Sequence, residues 1–508
     1  NGDINLTHGG TLTFGGNVFA GKALLVTTNN GAVIVVGTGS DISMQALGGG
    51  ISLSGPMSLV NNLSATAGAG AINFGSTINS ATGKNLSLSL TQSNPVTFGG
   101  ALGQTGRLGD ISITGSPAGI SAGLNNITAK SLVSAPSSGA INLSGVLDLN
   151  GALGLDLTTT GTTGTTGNIT LGQLTSSGGG VLLTNSQVLQ LLGNVLSAGA
   201  ITESGAGSVV LGDVGAVSPT ITLTTTTAGS GISLAKSVTL NRDAVLTAAG
   251  SGTVTLGGTV NSDGSLSPRS LSLNSGTGLV SINGDVGTVQ LLSGVTVTTG
   301  GSVGIDASAI KTTGTGGQKY SGSGTSFTKN LSLVAGAGNI GFVGALSSGG
   351  NNLSLDTTGA LSFGGAVSGL GDIDILSASN GLSGTTIGAR SLEGAVALTG
   401  AVNISGQQTY TDNLSLATSG TAGISVAGVS TTNKGIVLTT AQGTLSVGAL
   451  NAPNGTNGDI NLTHGGTLTF GGNVLAGRAL NVTTNNGAAI IVGAGSNVIM
   501  QALGGGVS

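Results

Sequence analysis

Apolar residues recur at every second position along this chain, in bursts of three to five residues. Asn-Leu-Ser-Leu stands at Asn85–Leu88, Asn330–Leu333, Asn352–Leu355 and Asn413–Leu416. Close variants stand at Asp3–Leu6, Asp110–Ile113, Asn168–Leu171, Thr220–Leu223, Ser270–Leu273 and Asp372–Ile375. Successive side chains of a strand point to opposite faces, so each burst predicts a short strand with one packed and one free face. Further bursts lie between them, such as Thr11–Phe14, Ala360–Phe363 and Gly443–Val447. Gly-Gly, Asn-Gly and Ser-Gly pairs separate the bursts and supply the corners. In the last third the leading apolar residues are Leu353, Ile373, Leu392, Leu414, Ile436, Ile460, Leu480 and Val498. Their spacing predicts an all-β parallel β-helix, or β-solenoid, of roughly 20–25 coils with about 18–25 residues per coil. Coils stacked about 4.8 Å apart would build internal ladders of Leu, Ile and Val into a rod on the order of 100 Å long.

A longer period encloses the short one. The run NGDINLTHGGTLTFGGNV opens the sequence at Asn1 and returns unchanged at Asn457. About four-fifths of the positions remain identical to the end of the chain, which marks a duplicated module. Residues 1–456 therefore read as one large repeat of a continuous solenoid and 457–508 as the start of the next, equivalent to 1–52. The differences fall by parity. Leu25, Val33, Asp41 and Ser43 become Asn481, Ala489, Asn497 and Ile499, whereas Leu24, Val26, Ile34, Val36 and Met44 are kept. This predicts that the kept residues face the core.

Composition narrows the function classes. Charged residues are 6% of the chain and aromatics 2%, with 98 glycines and no cysteine. Disordered chains are rich in charge and poor in apolar residues, and this chain is the reverse. The absence of cysteine excludes disulfides and thiolate metal sites. A net charge of −4 with scattered bases gives no attraction to nucleic acid. No apolar run approaches the ~20 residues of a membrane-spanning helix. The scarcity of Phe and the absence of Trp suggest a coil too narrow for large rings. Two stretches break the rhythm: Leu157–Gly167 reads as a loop or a flat, polar coil, and Ile310–Asn330 predicts a segment that projects from the shaft.

The segments GGQKYSGS (Gly316–Ser323) and SGQQTYTD (Ser405–Asp412) share Gln-x-Tyr-[Ser/Thr], each leading into an Asn-Leu-Ser-Leu strand. With the coils of about 20 residues, this resembles the filamentous-haemagglutinin-like family of giant bacterial surface proteins over essentially the whole chain. The resemblance implies a right-handed parallel β-helix at the bacterial cell surface, exported by two-partner secretion or as an autotransporter passenger. It also implies an adhesin shaft or fibre that meets a host cell, a neighbouring cell or a surface glycan.

Candidate chemistry is sparse. Asp372 and Asp374 are two apart in a strand and share a face, a spacing compatible with the paired carboxylates of inverting glycoside hydrolysis. The bland reading is a solvated outer face, with Arg390 as the one basic partner nearby. Tyr320 with Lys311 and Lys319 forms a candidate contact patch for sugars or anionic surfaces; the bland reading packs Tyr320 onto the shaft. His8 and His464, in equivalent THGG segments, predict a corner hydrogen bond, because one histidine per large repeat is too few for a metal site. No cofactor is expected. The sequence thus predicts a structural and adhesive extracellular filament module that is not an enzyme, with tandem copies end to end and lateral self-association into fibres. The alternative is a surface polysaccharide-binding or polysaccharide-cleaving β-helix.

Overall fold

The computed structural model describes residues 2–508 except 93, 116, 214–219, 266, 379–380, 385–386, 395–399 and 494–496. Among the described residues there are short strands and no helix, and so no helix long and apolar enough to cross a membrane. The strands stack in parallel as a β-solenoid of about 22 turns. Two compact units divide the chain, Asn1–Gly258 and Thr259–Ser508.

In the first unit each strand pairs with its equivalent one coil further on. One inward column runs Ile4, Leu24, Ile51, Ile72, Val96 and Ile120, each the register partner of the next. It continues through Ile141, Ile169, Leu189, Val209 and Val238. The column stays unbroken although the interval varies from 20 positions (Ile4 to Leu24) to 29 (Val209 to Val238). Coils are thus longer in places than the 18–25 residues expected. Between Ile141 and Ile169 the extra residues lie in loops that leave the ladder in register. The polar stretch after Leu157 is one of these loops: Thr159 Oγ1 donates to Gly167 O at 2.7 Å and closes it.

In the second unit one inward column runs Leu331, Leu353, Ile373, Leu392, Leu414, Ile436, Ile460 and Leu480. These are the leading residues read from the spacing, with one correction: Leu480 pairs with Val507 and not with Val498. Val498 precedes the strand Met500–Ala502, which stacks on a different face through Val474↔Met500. The stretch Ile310–Asn330 also differs from expectation. Ala309–Ser321 is a strand, laddered to Leu292–Thr299 on one side and to Leu331–Val334 and Ile340–Phe342 on the other. It does not project, because its alternate residues Ile310, Thr312, Gln318 and Tyr320 are buried.

Rings are also admitted to the interior, contrary to the narrow-coil argument. Of the 8 phenylalanines only Phe19 is exposed. Phe74 and Phe98 stack at 5.7 Å, and Tyr320, Phe342 and Phe363 form a continuous stack at 5.1 and 5.8 Å. In-register coils place like rings at van der Waals spacing, so one ring per coil fits where a neighbouring coil supplies another.

The corners explain the asparagine of three of the four tetrads, Asn413 Oδ1 having no partner among the described residues. The Asn62 side chain accepts from Asn85 N at 2.9 Å, and Asn85 in turn from Asp110 N at 2.9 Å. Asn330 accepts from Asn352 N, and Asn352 from Asp372 N. Each side-chain oxygen thus satisfies a backbone N–H one coil further on that would otherwise be left at the bend.

The duplicated segments fold alike within their own units. Ile4↔Leu24 recurs as Ile460↔Leu480, and Val18↔Met44 as Val474↔Met500. Asn30 and Asn486 both adopt φ of 57°. In the first copy Leu24, Ile34, Val36 and Met44 are buried while Leu25 is exposed, as the parity of the differences predicts.

Candidate functional site

Both aspartates read from the sequence lie on the strand Val367–Ala378, on either side of the inward Ile373. Their surroundings divide them. Asp372 accepts from Arg390 Nε at 2.6 Å and Ser391 Oγ at 2.7 Å, both one coil further on. The Arg390 hydrogen bonds, helped by Ser391, hold the Asp372 carboxyl below the ordinary carboxylate range. Asp374 is shifted the other way. Partial burial raises it, and the charges of Asp372 and Glu393 add to the rise. Glu393 is its register partner on the next coil, so two carboxylates stand side by side on the outer face. The sequence reading paired Asp374 with Asp372 and missed Glu393, which only coil register brings near.

These residues border a small open depression of about 160 Å³, completed by Asp412, Asn413 and Lys434. A second depression adjoins it, sharing Asn413 and Lys434 and reaching Asp459 and Arg478. No aromatic ring lines either one among the described residues.

Together the corners carry a ladder of ion pairs. Asp372 bridges to Arg390, Asp412 to Lys434 at 3.8 Å, and Asp459 to Arg478, whose Nε donates to Asp459 Oδ1 at 2.7 Å. Each of the six stands one or two residues before a leading apolar residue, from Ile373 through Leu392, Leu414, Ile436 and Ile460 to Leu480. Six consecutive coils therefore carry acid, base, acid, base, acid, base. The signal was present in the sequence: the residue type just ahead of each leading apolar residue alternates in sign.

The second candidate site is corrected. Tyr320 is fully buried, with its hydroxyl donating to Gln318 Oε1 at 3.0 Å and its ring in the aromatic stack. Burial pushes its phenol pKa upward. Lys319 is exposed and pairs in register with Gly341, whereas Lys311 is half-buried and pairs with Val334 on another strand. No common patch forms, because the strand turns a corner between them. Tyr410 repeats the burial, donating to Gln408 Oε1 at 2.8 Å. The Gln-x-Tyr segments are thus interior features whose two polar residues share the inward parity.

The histidines make the corner contacts expected. His464 is buried; its Nδ1 donates to Gly466 O at 2.6 Å and its Nε2 accepts from Thr484 Oγ1 at 3.0 Å. His8 Nδ1 contacts Gly10 O at 2.8 Å. Compared with family models, with curated proteins and with solved structures, the chain finds no match in any of the three.

Proposed function

We propose that the chain is a structural and adhesive module of an extracellular filament at a bacterial cell surface, and not an enzyme. The observation that carries this reading is the contrast between inside and outside. Inward columns of Ile, Leu and Val persist coil after coil, while many outward partners on the same strands are small and polar, as in Ser332, Ser354 and Ser415. A repeating interior of this kind is stabilised by nearest-neighbour coils and lengthens by adding copies. Asp372 supports the non-enzymatic part, since its carboxylate is already committed to Arg390 and Ser391. Electron microscopy of the native surface with an antibody to this chain tests the proposal. Labelled fibres with a ~4.8 Å coil reflection are expected; label confined to the cell interior would overturn it.

A second reading rests on the stacked Asp374 and Glu393 beside the depression. A carboxyl raised by partial burial beside a second carboxyl is the arrangement of an acid–base pair. It predicts release of reducing ends from a surface polysaccharide, abolished in Asp374→Asn. No release from a panel of neutral and acidic glycans removes this reading.

A further inference from the structure

The ion-pair ladder has a symmetry that its own coil contacts do not require. Along the axis of the second unit its order is acid, base, acid, base, acid, base, one residue per coil. The three bases are about half exposed, at 52%, 56% and 52%, and the acids beneath them remain partly accessible at 24%, 30% and 18%. At about 4.8 Å per coil the ladder is some 24 Å tall. An alternating series of even length is self-complementary when reversed. We propose that this corner is a docking surface for a second copy of the chain, laid antiparallel across a two-fold axis.

In that arrangement Asp372 faces Arg478 of the second copy, Arg390 faces its Asp459, and Asp412 faces its Lys434. Each residue keeps its own bridge and gains an opposite charge across the interface. A parallel alignment in register would instead set acid on acid and base on base in every coil. The adjoining strand column sets no like charges against each other. Asp374 and Glu393 would meet Asn481 and Asn461, which are uncharged, so the two extra carboxylates oppose no like charge. A strip this short falls below the standard size of stable interfaces, so the pairing is weak and carried by charge. It strengthens at low ionic strength, where the screening length grows to about 30 Å at 0.01 M. The inference stands on the ladder alone and does not require the filament reading.

Sedimentation velocity of the 508-residue chain tests it at about 0.01 M and about 0.5 M salt. The expected result is a concentration-dependent doubling of mass that disperses at high salt. The decisive variant exchanges one bridge end for end, Asp372→Arg with Arg390→Asp. Its internal ion pair survives, yet four of the six facing positions become like-charged, so it is expected to stay monomeric. The mirror variant, Asp459→Arg with Arg478→Asp, should behave the same way, and a mixture of the two should pair because every facing position is then opposite. The central exchange, Asp412→Lys with Lys434→Asp, preserves the symmetry and should associate like the parent. Either of two outcomes overturns the proposal: a parent chain of unchanged mass at low salt, or self-association of the first variant equal to the parent's. The mixing arm guards against a folding defect, since misfolded variants would not rescue each other.

Discussion

Removing the two Gln-x-Tyr couples should have opposite consequences, although the couples look alike in sequence. At the first, Tyr320 donates to Gln318 Oε1, and Gln318 Nε2 donates to Ile310 O and Val334 O at 2.9 Å each. At the second, Tyr410 donates to Gln408 Oε1, but Gln408 Nε2 meets no acceptor among the described residues. A net hydrogen bond is worth about 1 kcal/mol, and a buried polar group without a partner costs about 1–3 kcal/mol. Tyr320→Phe or Tyr410→Phe alone strands a glutamine oxygen, so each should lose about 1–3 kcal/mol. The doubles should diverge. Gln318→Leu with Tyr320→Phe removes three bonds, a loss of about 2 kcal/mol or more. Gln408→Leu with Tyr410→Phe removes one bond but also an unmatched amide, so it should be neutral or stabilising by up to about 2 kcal/mol. Urea unfolding reads the difference, with the slope checked because stacked coils can unfold in parts. Equal losses from the two doubles would refute the reasoning.

Leu353, fully buried between Leu331 and Ile373, should cost about 2–5 kcal/mol as Leu353→Ala. Hydrogen exchange should localise the damage to neighbouring coils, and uniform deprotection of the second unit would contradict that. Gly448→Ala should destabilise strongly, because an added Cβ would lie 1.4 Å from Ala427 O on the adjacent coil. An unchanged thermal midpoint would show that the coil spacing yields more than packed backbones allow. Glu203 points inward between Leu183 and Leu234, with its carboxylate accepting from Gly205 N and Ala235 N at 2.9 Å and from Lys236 N at 3.3 Å. Burial raises its pKa above 4.5, and the three backbone N–H groups offset only part of the rise. A raised carboxyl contributes stability that is full below the ordinary value and is lost as pH rises through the folded one. The stability of the parent relative to Glu203→Gln should therefore fall as pH rises above the ordinary carboxyl value, and a pH-independent difference would refute it.

The solenoid was legible because its signal is local: alternation sets the strands, and the spacing of Ile373, Leu392 and Leu414 sets the coils. The contents of the inward positions were less legible. Gln318 and Tyr320 are polar and lie beside lysines, which suggested a surface, yet their spacing of two puts them in phase on one face. A tyrosine can occupy that face only because its hydroxyl finds the glutamine two residues back. The ladder from Asp372 to Arg478 escaped for a different reason. Its members are widely spaced along the chain, and their alternation shows only when each charge is read against the leading apolar residue it precedes. Asp374 and Glu393 show the same limit, being 19 positions apart and side by side.

The shared register of the two copies has a genetic consequence. Because Ile4↔Leu24 and Ile460↔Leu480 are the same pairing in nearly the same sequence, the coding segments can misalign and recombine without shifting the reading frame of the fold. An exchange between them would delete or duplicate 456 residues and join one coil to another of matching shape.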